Sequence, residues 1–245
     1  MKFLFRADDL GLSRGVNYGI ADAAENGIVR NIGLMMNMPD IAQGYKLVKG
    51  MDLCLGVHVN ISVGRPLAGN VPTLVNENGD FYSSSIYRSR SEDLVEIRDV
   101  FREASAQVAA FGELTGKKPA YLDVHAVSSA NFFEGVKILG ELLGIPVSLL
   151  GKGNETMQVA HSNVRLMINH SPLEDPYGTF DALRAQSDAD VVNMLVFHPG
   201  YIDQRLLEVS SLTMQRSIDA WLLCSKEFKD LLREAGIENV TYRDL

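Results

Sequence analysis

The feature that most constrains the fold of this chain is the alternation of short apolar runs with longer segments of helical period. Such alternation is typical of a parallel sheet whose strands are connected by helices. We predict strands at KFLFRA, NIGLMM, LCLGVHVN, AYLDVH, IPVSLL, NMLVFH and ENVTYR. Seven strands in a chain of 245 residues favour an α/β fold with a single domain. We expect a distorted, TIM-barrel-like (β/α) barrel of about seven parallel strands. A doubly wound open sheet is the alternative.

Several intervening segments carry helix signals. Ser13 can cap a helix that ends near Gly27. Another helix is expected over residues 132–143, and Ser89 with Glu92 resembles a capping box before the longest amphipathic run. That run has apolar positions at Leu94, Ile97, Phe101, Ala104, Val108 and Phe111. Residues 65–88 lack such periodicity, so we interpret them as a loop insertion in one domain that spans residues 1–245.

Charge and cysteine content narrow the functional classes. A formal net charge of −8 with scattered basic residues provides no basic face for a nucleic-acid backbone. Cys54 and Cys224 are far apart, so neither a disulfide framework nor a cysteine-bound zinc is expected. The start MKFLFRADD becomes charged too early for a secretory signal, and no apolar run reaches transmembrane length. We therefore expect a cytoplasmic protein without nucleic-acid or membrane partners.

Polar clusters stand at the carboxyl ends of predicted strands, which is where α/β enzymes carry their active sites. These clusters are Asp8–Asp9, His58–Asn60, Asp123–His125 and His198. Residues two apart on a strand face the same side, so both members of the second and third clusters can reach one site.

The neighbouring acids Asp8 and Asp9 pose a geometric problem. On a regular strand they would point to opposite faces of the sheet. Both can serve one site only if the backbone bends there, and Gly11 makes such a bend plausible.

Two imidazoles and a carboxylate from three strand ends form a suitable ligand set for one divalent metal ion. A second carboxylate beside that ion could act as a general base. Imidazole ligands suit zinc, and the oxygen ligand also permits magnesium, so the sequence leaves the metal open. A single histidine at a strand end is more often an ordinary hydrogen-bonded residue. The prediction of a metal site therefore depends on the occurrence of all these polar clusters together at strand ends. His161 and His170 lie in unpatterned stretches and are expected to be surface residues.

The motifs RADDLGLS, GVHVNIS, LDVHA and FHPGY, with Arg216 in a helical C-terminal stretch, run nearly from end to end. With them the chain resembles the YdjC/ChbG-like carbohydrate deacetylase family. The resemblance implies a barrel-like α/β fold and metal-dependent removal of acetyl groups from N-acetylated mono- or oligosaccharides, such as chitooligosaccharides. For such a barrel, a homodimer is also plausible.

The resemblance also implies roles for particular residues. Asp9, His58 and His125 correspond to metal ligands, Asp8 to the base and His198 to a candidate acid.

Two further residues have expected supporting roles, and one segment departs from the family pattern. Asp123 is expected to orient His125 or another site group, and Asn60 to support the site or contact the substrate. Many relatives have histidines where this chain has Val127 and Ser129. This departure leaves the three proposed ligands in place and changes the neighbouring substrate surface.

Two other functions remain open from the sequence. One is a non-catalytic sugar-binding or regulatory barrel protein, and the other is a barrel sugar isomerase. Release of acetate from N-acetylated sugars separates a deacetylase from both of them.

Overall fold

The computed structural model describes residues 1–90, 92–149, 155–167 and 175–245. Its strands are β1 (Lys2–Leu10), β2 (Asn31–Leu34), β3 (Cys54–Val59), β4 (Leu122–Val124), β5 (Thr156–Val159), β6 (Ser162–Met167), β7 (Val192–Phe197) and β8 (Glu238–Asn239). They form one sheet in the order β4-β3-β2-β1-β7-β6-β5, and β8 pairs with the amino end of β1. Among these described strands, β5 and β6 pair in antiparallel fashion and the other pairings are parallel.

Helices connect the parallel strands. They are α1 (Arg14–Glu25), α2 (Ile41–Val48), α3 (Ser84–Ser89), α4 (Ile97–Thr115), α5 (Ala130–Leu143), α6 (Pro176–Ala185), α7 (Gln204–Val209), α8 (Met214–Cys224) and α9 (Lys226–Glu234). The central strand β1 is buried along its length except at Lys2, as expected for a parallel strand covered on both faces. This curled, mostly parallel sheet confirms the predicted distorted (β/α) barrel. No helix in the described ranges combines the length and the apolar character needed to cross a bilayer.

The helix signals had mixed outcomes. The Ser13 cap is confirmed, because its hydroxyl accepts a hydrogen bond from the Val16 backbone N–H at 3.2 Å. The capping box at Ser89 was wrong, since Ser89 ends α3 and α4 begins only at Ile97. Between these helices the Asp93 carboxylate accepts hydrogen bonds from the Ser129 hydroxyl and from a backbone N–H at the start of α5. These bonds attach the connection between α3 and α4 to the start of α5, and Asp93 itself lies in neither helix.

The predicted strand IPVSLL was also wrong. Its described residues form a single isolated parallel bridge, between Val147 and Leu122, and Leu150 lies outside the described residues. The β5–β6 hairpin instead forms the end of the sheet next to β7. Strand β5 is largely exposed, so its residues lack the continuous apolar run by which we recognised the buried strands.

Helix α4 anchors the segment over residues 65–88. The Asp99 carboxylate accepts hydrogen bonds from the backbone N–H and the hydroxyl of Thr73, at 3.1 and 2.8 Å. The Glu103 carboxylate accepts the backbone N–H groups of Leu67 and Ala68, at 3.1 and 2.8 Å. Both carboxylates are buried, so these bonds compensate their loss of hydration and fix the segment against the helix.

Candidate metal centre

Strand β1 brings Asp8 and Asp9 to one site by leaving regular strand geometry. The φ angle of Asp9 is 78° and that of Gly11 is 110°, and the register between β1 and β2 shifts between Ala7 and Leu10. A positive φ is uncommon for a residue with a side chain and costs free energy. The predicted bend is therefore confirmed, and it begins at Asp9 itself.

Three potential ligand atoms meet at the carboxyl ends of β1, β3 and β4. Oδ1 of Asp9 lies 3.0 Å from Nδ1 of His125 and 3.3 Å from Nε2 of His58, and the two ring nitrogens are 3.1 Å apart. Asp9 and His58 are almost fully buried, and the His125 side chain is 13% exposed. The centre is therefore reached from solvent on the His125 side.

The separations of these atoms fit a divalent ion. With bonds of about 2.0–2.1 Å, ligand atoms lie roughly 3.3–3.4 Å apart around a tetrahedral ion and about 3.0 Å apart on one face of an octahedral ion. The observed triangle, with edges of 3.0, 3.1 and 3.3 Å, lies within this range. The donor set therefore fits zinc or magnesium and does not decide between them.

His58 is held by a carboxylate from the neighbouring strand. The pairing of β3 with β4 places His58 opposite Asp123, and Nδ1 of His58 lies 2.7 Å from Oδ2 of Asp123. A carboxylate on one ring nitrogen fixes the tautomer and leaves the other nitrogen free for a metal. Of the two partners that the sequence left open for Asp123, His125 or another group, the structure places Asp123 against His58.

Arg6 lies beneath the site and contacts two carboxylates. Its Nη2 donates to Oδ2 of Asp8 at 2.8 Å and lies 2.9 Å from Oδ2 of Asp123. Asp8, His58 and Asp123 form a second group of closely spaced ligand atoms, but here the guanidinium already supplies the positive charge. The group of Asp9, His58 and His125 is therefore the better candidate for a metal site.

Arg216 reaches the site from α8. Its Nη2 donates to Oδ2 of Asp9 at 2.7 Å, and both side chains are buried. Burial alone would raise the pKa of Asp9, but His125 and Arg216 outweigh burial and hold that pKa well below its usual range. Asp9 is therefore ionised and ready to bind a cation.

The carboxylates also affect His58. Burial disfavours the imidazolium, but the charges of Asp123 and Asp8 outweigh it and raise the pKa of His58 well above its ordinary value. The electric field at this point thus favours a positive charge. A metal ion that binds there must displace the competing proton.

His198 follows β7, and its backbone N–H donates to Oδ2 of Asp219 at 2.9 Å. Burial lowers the pKa of His198 to about 4, and the nearby Asp9 counteracts this only in part. His198 is therefore neutral at neutral pH.

The structure gives Asn60 a role in shaping the loop after β3. Its amide nitrogen donates to Oδ1 of Asn37 and to the carbonyl of Val63, at 2.9 and 2.7 Å. Its Oδ1 accepts the backbone N–H of Ser62 at 2.9 Å. Asn60 is fully buried and both amide hydrogens are used, so its side chain stabilises the loop.

The two positions that depart from the family pattern also have structural roles. Val127 is buried in the core. The Ser129 hydroxyl accepts the backbone N–H of Phe132 at 3.0 Å, which caps α5, and it contacts Asp93 at 2.8 Å.

His161 is exposed in the turn between β5 and β6, and His170 lies outside the described residues.

Sequence reasoning missed the contributions of Arg6 and Arg216. Arg6 had a detectable signal, because it stands two residues before Asp8 in an apolar strand and a buried cation requires a partner. Arg216 was noted in the sequence only as one of the features that resemble the family. No local pattern connects it with Asp9, which is 207 residues away along the chain.

The protein is therefore a (β/α) barrel that carries a cluster of carboxylates and imidazoles at the carboxyl ends of its strands. A family model described as YdjC-like protein matches residues 2–234, and the chain belongs to this family.

Relatives of similar length support this assignment. The chain is 33% identical over 256 residues to "Carbohydrate deacetylase 2" of Listeria innocua, with 100% of this chain and 99% of the relative covered. It is 33% identical over 254 residues to "Carbohydrate deacetylase" of Geobacillus stearothermophilus, with 98% and 96% covered. A crystal structure described as a cellobiose-phosphate cleavage protein from Enterococcus faecalis V583 matches with a TM-score of 0.86 at 22% identity. That match covers 99% of this chain and 98% of the other, and it shows the shared fold.

The contact between Asp123 and His58 leads to a prediction. Asp123→Asn is expected to weaken divalent-metal binding by roughly 10–100-fold, because an amide orients the imidazole less firmly than a carboxylate does. Titration calorimetry on chelator-treated protein measures this change. Asp52→Asn is the control, since Asp52 is exposed and pairs with Arg30 and Arg243. Equal metal affinity in Asp123→Asn and wild type would contradict the role of Asp123.

Proposed function

We propose that this chain is a metal-dependent carbohydrate deacetylase that hydrolyses the acetamide of N-acetylated mono- or oligosaccharides. The observation that carries the proposal is the triangle of ligand atoms from Asp9, His58 and His125, with Asp8 beside it. The names of the relatives that align along the whole chain support the reaction and the substrate class. We also propose that residues 1–245 form one such domain, in which residues 65–88 are an insertion.

The proposed ligands for one divalent ion per chain are Asp9, His58 and His125. When bound, this ion would polarise the acetamide carbonyl and favour deprotonation of water. Two imidazoles suit zinc, and the carboxylate also permits magnesium.

We assign the general base to Asp8. Arg6 donates a hydrogen bond to Oδ2 of Asp8 and so fixes the carboxylate, whereas Oδ1 accepts no aligned hydrogen bond from the described residues. The Nε of Arg6 lies 2.8 Å from Oδ1 but is not directed along a hydrogen bond. Oδ1 therefore has a lone pair that can accept the proton of the attacking water.

We assign the proton donor for the leaving nitrogen to His198. Because burial lowers the pKa of His198 to about 4, the ring is neutral before the reaction. A neutral imidazole can accept a proton at one nitrogen while it donates from the other. In this proposal, the proton that Asp8 takes from water reaches the leaving amine through His198, and the products are a free amino sugar and acetate.

An acetate assay tests the proposed function. Purified protein should release acetate from the N-acetylated disaccharide of glucosamine, lose this activity with a chelator and regain it with zinc or magnesium. Binding of the sugar without acetate release by the metal-loaded protein would favour a sugar-binding or regulatory protein. Conversion of the sugar without acetate would favour an isomerase. A homodimer and a cytoplasmic location remain predictions from the sequence.

A further inference from the structure

The two carboxylate oxygens of Asp9 face different partners. Oδ1 lies 3.0 Å from Nδ1 of His125 and 3.3 Å from Nε2 of His58. Oδ2 accepts a hydrogen bond of 2.7 Å from Nη2 of Arg216. Asp9 is fully buried, so both oxygens contact protein groups and neither is exposed to bulk solvent.

Arg216 is itself held in place. Its Nε donates to the carbonyl of Leu212 at 2.9 Å, and its own carbonyl accepts the backbone N–H of Gly200 at 3.0 Å. The guanidinium is planar and rigid, so a fixed Nε also fixes the direction of Nη2. Arg216 therefore offers a donor at a defined position beside Asp9.

We propose that Arg216 is a positioning residue that restricts Asp9 to metal coordination through Oδ1 alone. This inference rests on the metal-dependent function proposed above. Carboxylates bind metal ions through one oxygen or through both, and a hydrogen bond to Oδ2 disfavours the second mode. One oxygen from Asp9 leaves more of the ion accessible to water and to the acetamide oxygen.

Metal affinity alone does not test this role, because removal of Arg216 has opposing effects. Loss of the guanidinium removes a positive charge that repels the incoming ion, which strengthens binding. It also removes the hydrogen bond that orders Asp9, which weakens binding. The coordination of the ion is the quantity that distinguishes the proposal.

The experiment compares visible spectra of the cobalt(II) forms of wild type, Arg216→Met and Ser217→Ala. Methionine is an unbranched side chain that extends in the same direction without a donor, so it frees Oδ2 for the ion. We expect a different spectrum in Arg216→Met, with lower absorbance per bound ion as the coordination number rises. Ser217→Ala is the control on the same helix, because the one hydrogen bond of its hydroxyl to a described residue goes to the carbonyl of Gly200 and not to Asp9. Its spectrum should match that of wild type.

The outcomes separate this inference from the proposed function. If wild type binds no cobalt, the metal-dependent function fails and this inference fails with it. If wild type binds cobalt and Arg216→Met gives the same spectrum per bound ion, Arg216 does not control the coordination of Asp9 and the inference alone is overturned. Should Arg216→Met fail to fold, Arg216→Gln is judged by the same criterion, since its shorter side chain does not reach Oδ2.

Discussion

Asp8→Asn protein is expected to retain its divalent ion and to release acetate roughly 10²–10⁴-fold more slowly than wild type. Asparagine keeps the shape of Asp8 and can still accept the hydrogen bond from Arg6. Its amide cannot take a proton from water, so the contribution of the general base disappears. Metal analysis and the acetate assay on the same preparation measure the two effects.

Asp9→Ala is the matched variant for this prediction. It removes a proposed ligand, so we expect weaker metal binding together with loss of acetate release. Full acetate release by Asp8→Asn would exclude Asp8 as the base. Loss of the ion from Asp8→Asn would mean that the two neighbouring acids share the ligand role or exchange it.

His58→Ala and His125→Ala are each expected to lose the ion and the acetate release together. Each variant removes one of three ligand atoms that lie within 3.3 Å of one another, and two remaining ligands hold a divalent ion poorly. Metal content after dialysis and the rate of acetate release measure the loss.

His161→Ala is the control for the histidine variants. His161 is exposed on the β5–β6 hairpin, and we expect its replacement to change neither metal content nor turnover. A His58→Ala or His125→Ala protein that keeps a full complement of the ion would contradict the proposed ligand set.

The barrel was predictable because buried parallel strands appear in the sequence as short apolar runs, which alternate with amphipathic helices. The positions of the polar clusters were predictable for a related reason. Parallel strands bring their carboxyl ends to one edge, and the period of two along a strand decides which side chains face inward. These two regularities are local, so they placed the clusters Asp8–Asp9, His58–Asn60 and Asp123–His125 at one edge of the sheet without any tertiary information. The choice of Asp9, His58 and His125 as ligands came from the family resemblance.

The β5–β6 hairpin was not predictable in the same way. Its outer strand is exposed, and a strand with one solvated face lacks the apolar run that marks a buried strand. The segment IPVSLL carried that apolar run, but its described residues form only the bridge to Leu122 of β4, whereas the hairpin pairs with β7 at the other end of the strand order. Apolar character indicates burial, and it does not decide which segment pairs with which.

By itself, the sequence determined the barrel class, the edge of the sheet that carries the site and the residue types gathered there. Only the tertiary structure decided which partner each carboxylate has: Arg6 donates to Asp8, Arg216 donates to Asp9, and Asp123 contacts His58. The physical reason is the range of each signal. The direction of a side chain on a strand follows from its neighbours along the chain. The contact of Arg216 with Asp9 joins residues 207 positions apart, so it depends on how α8 packs in the folded protein.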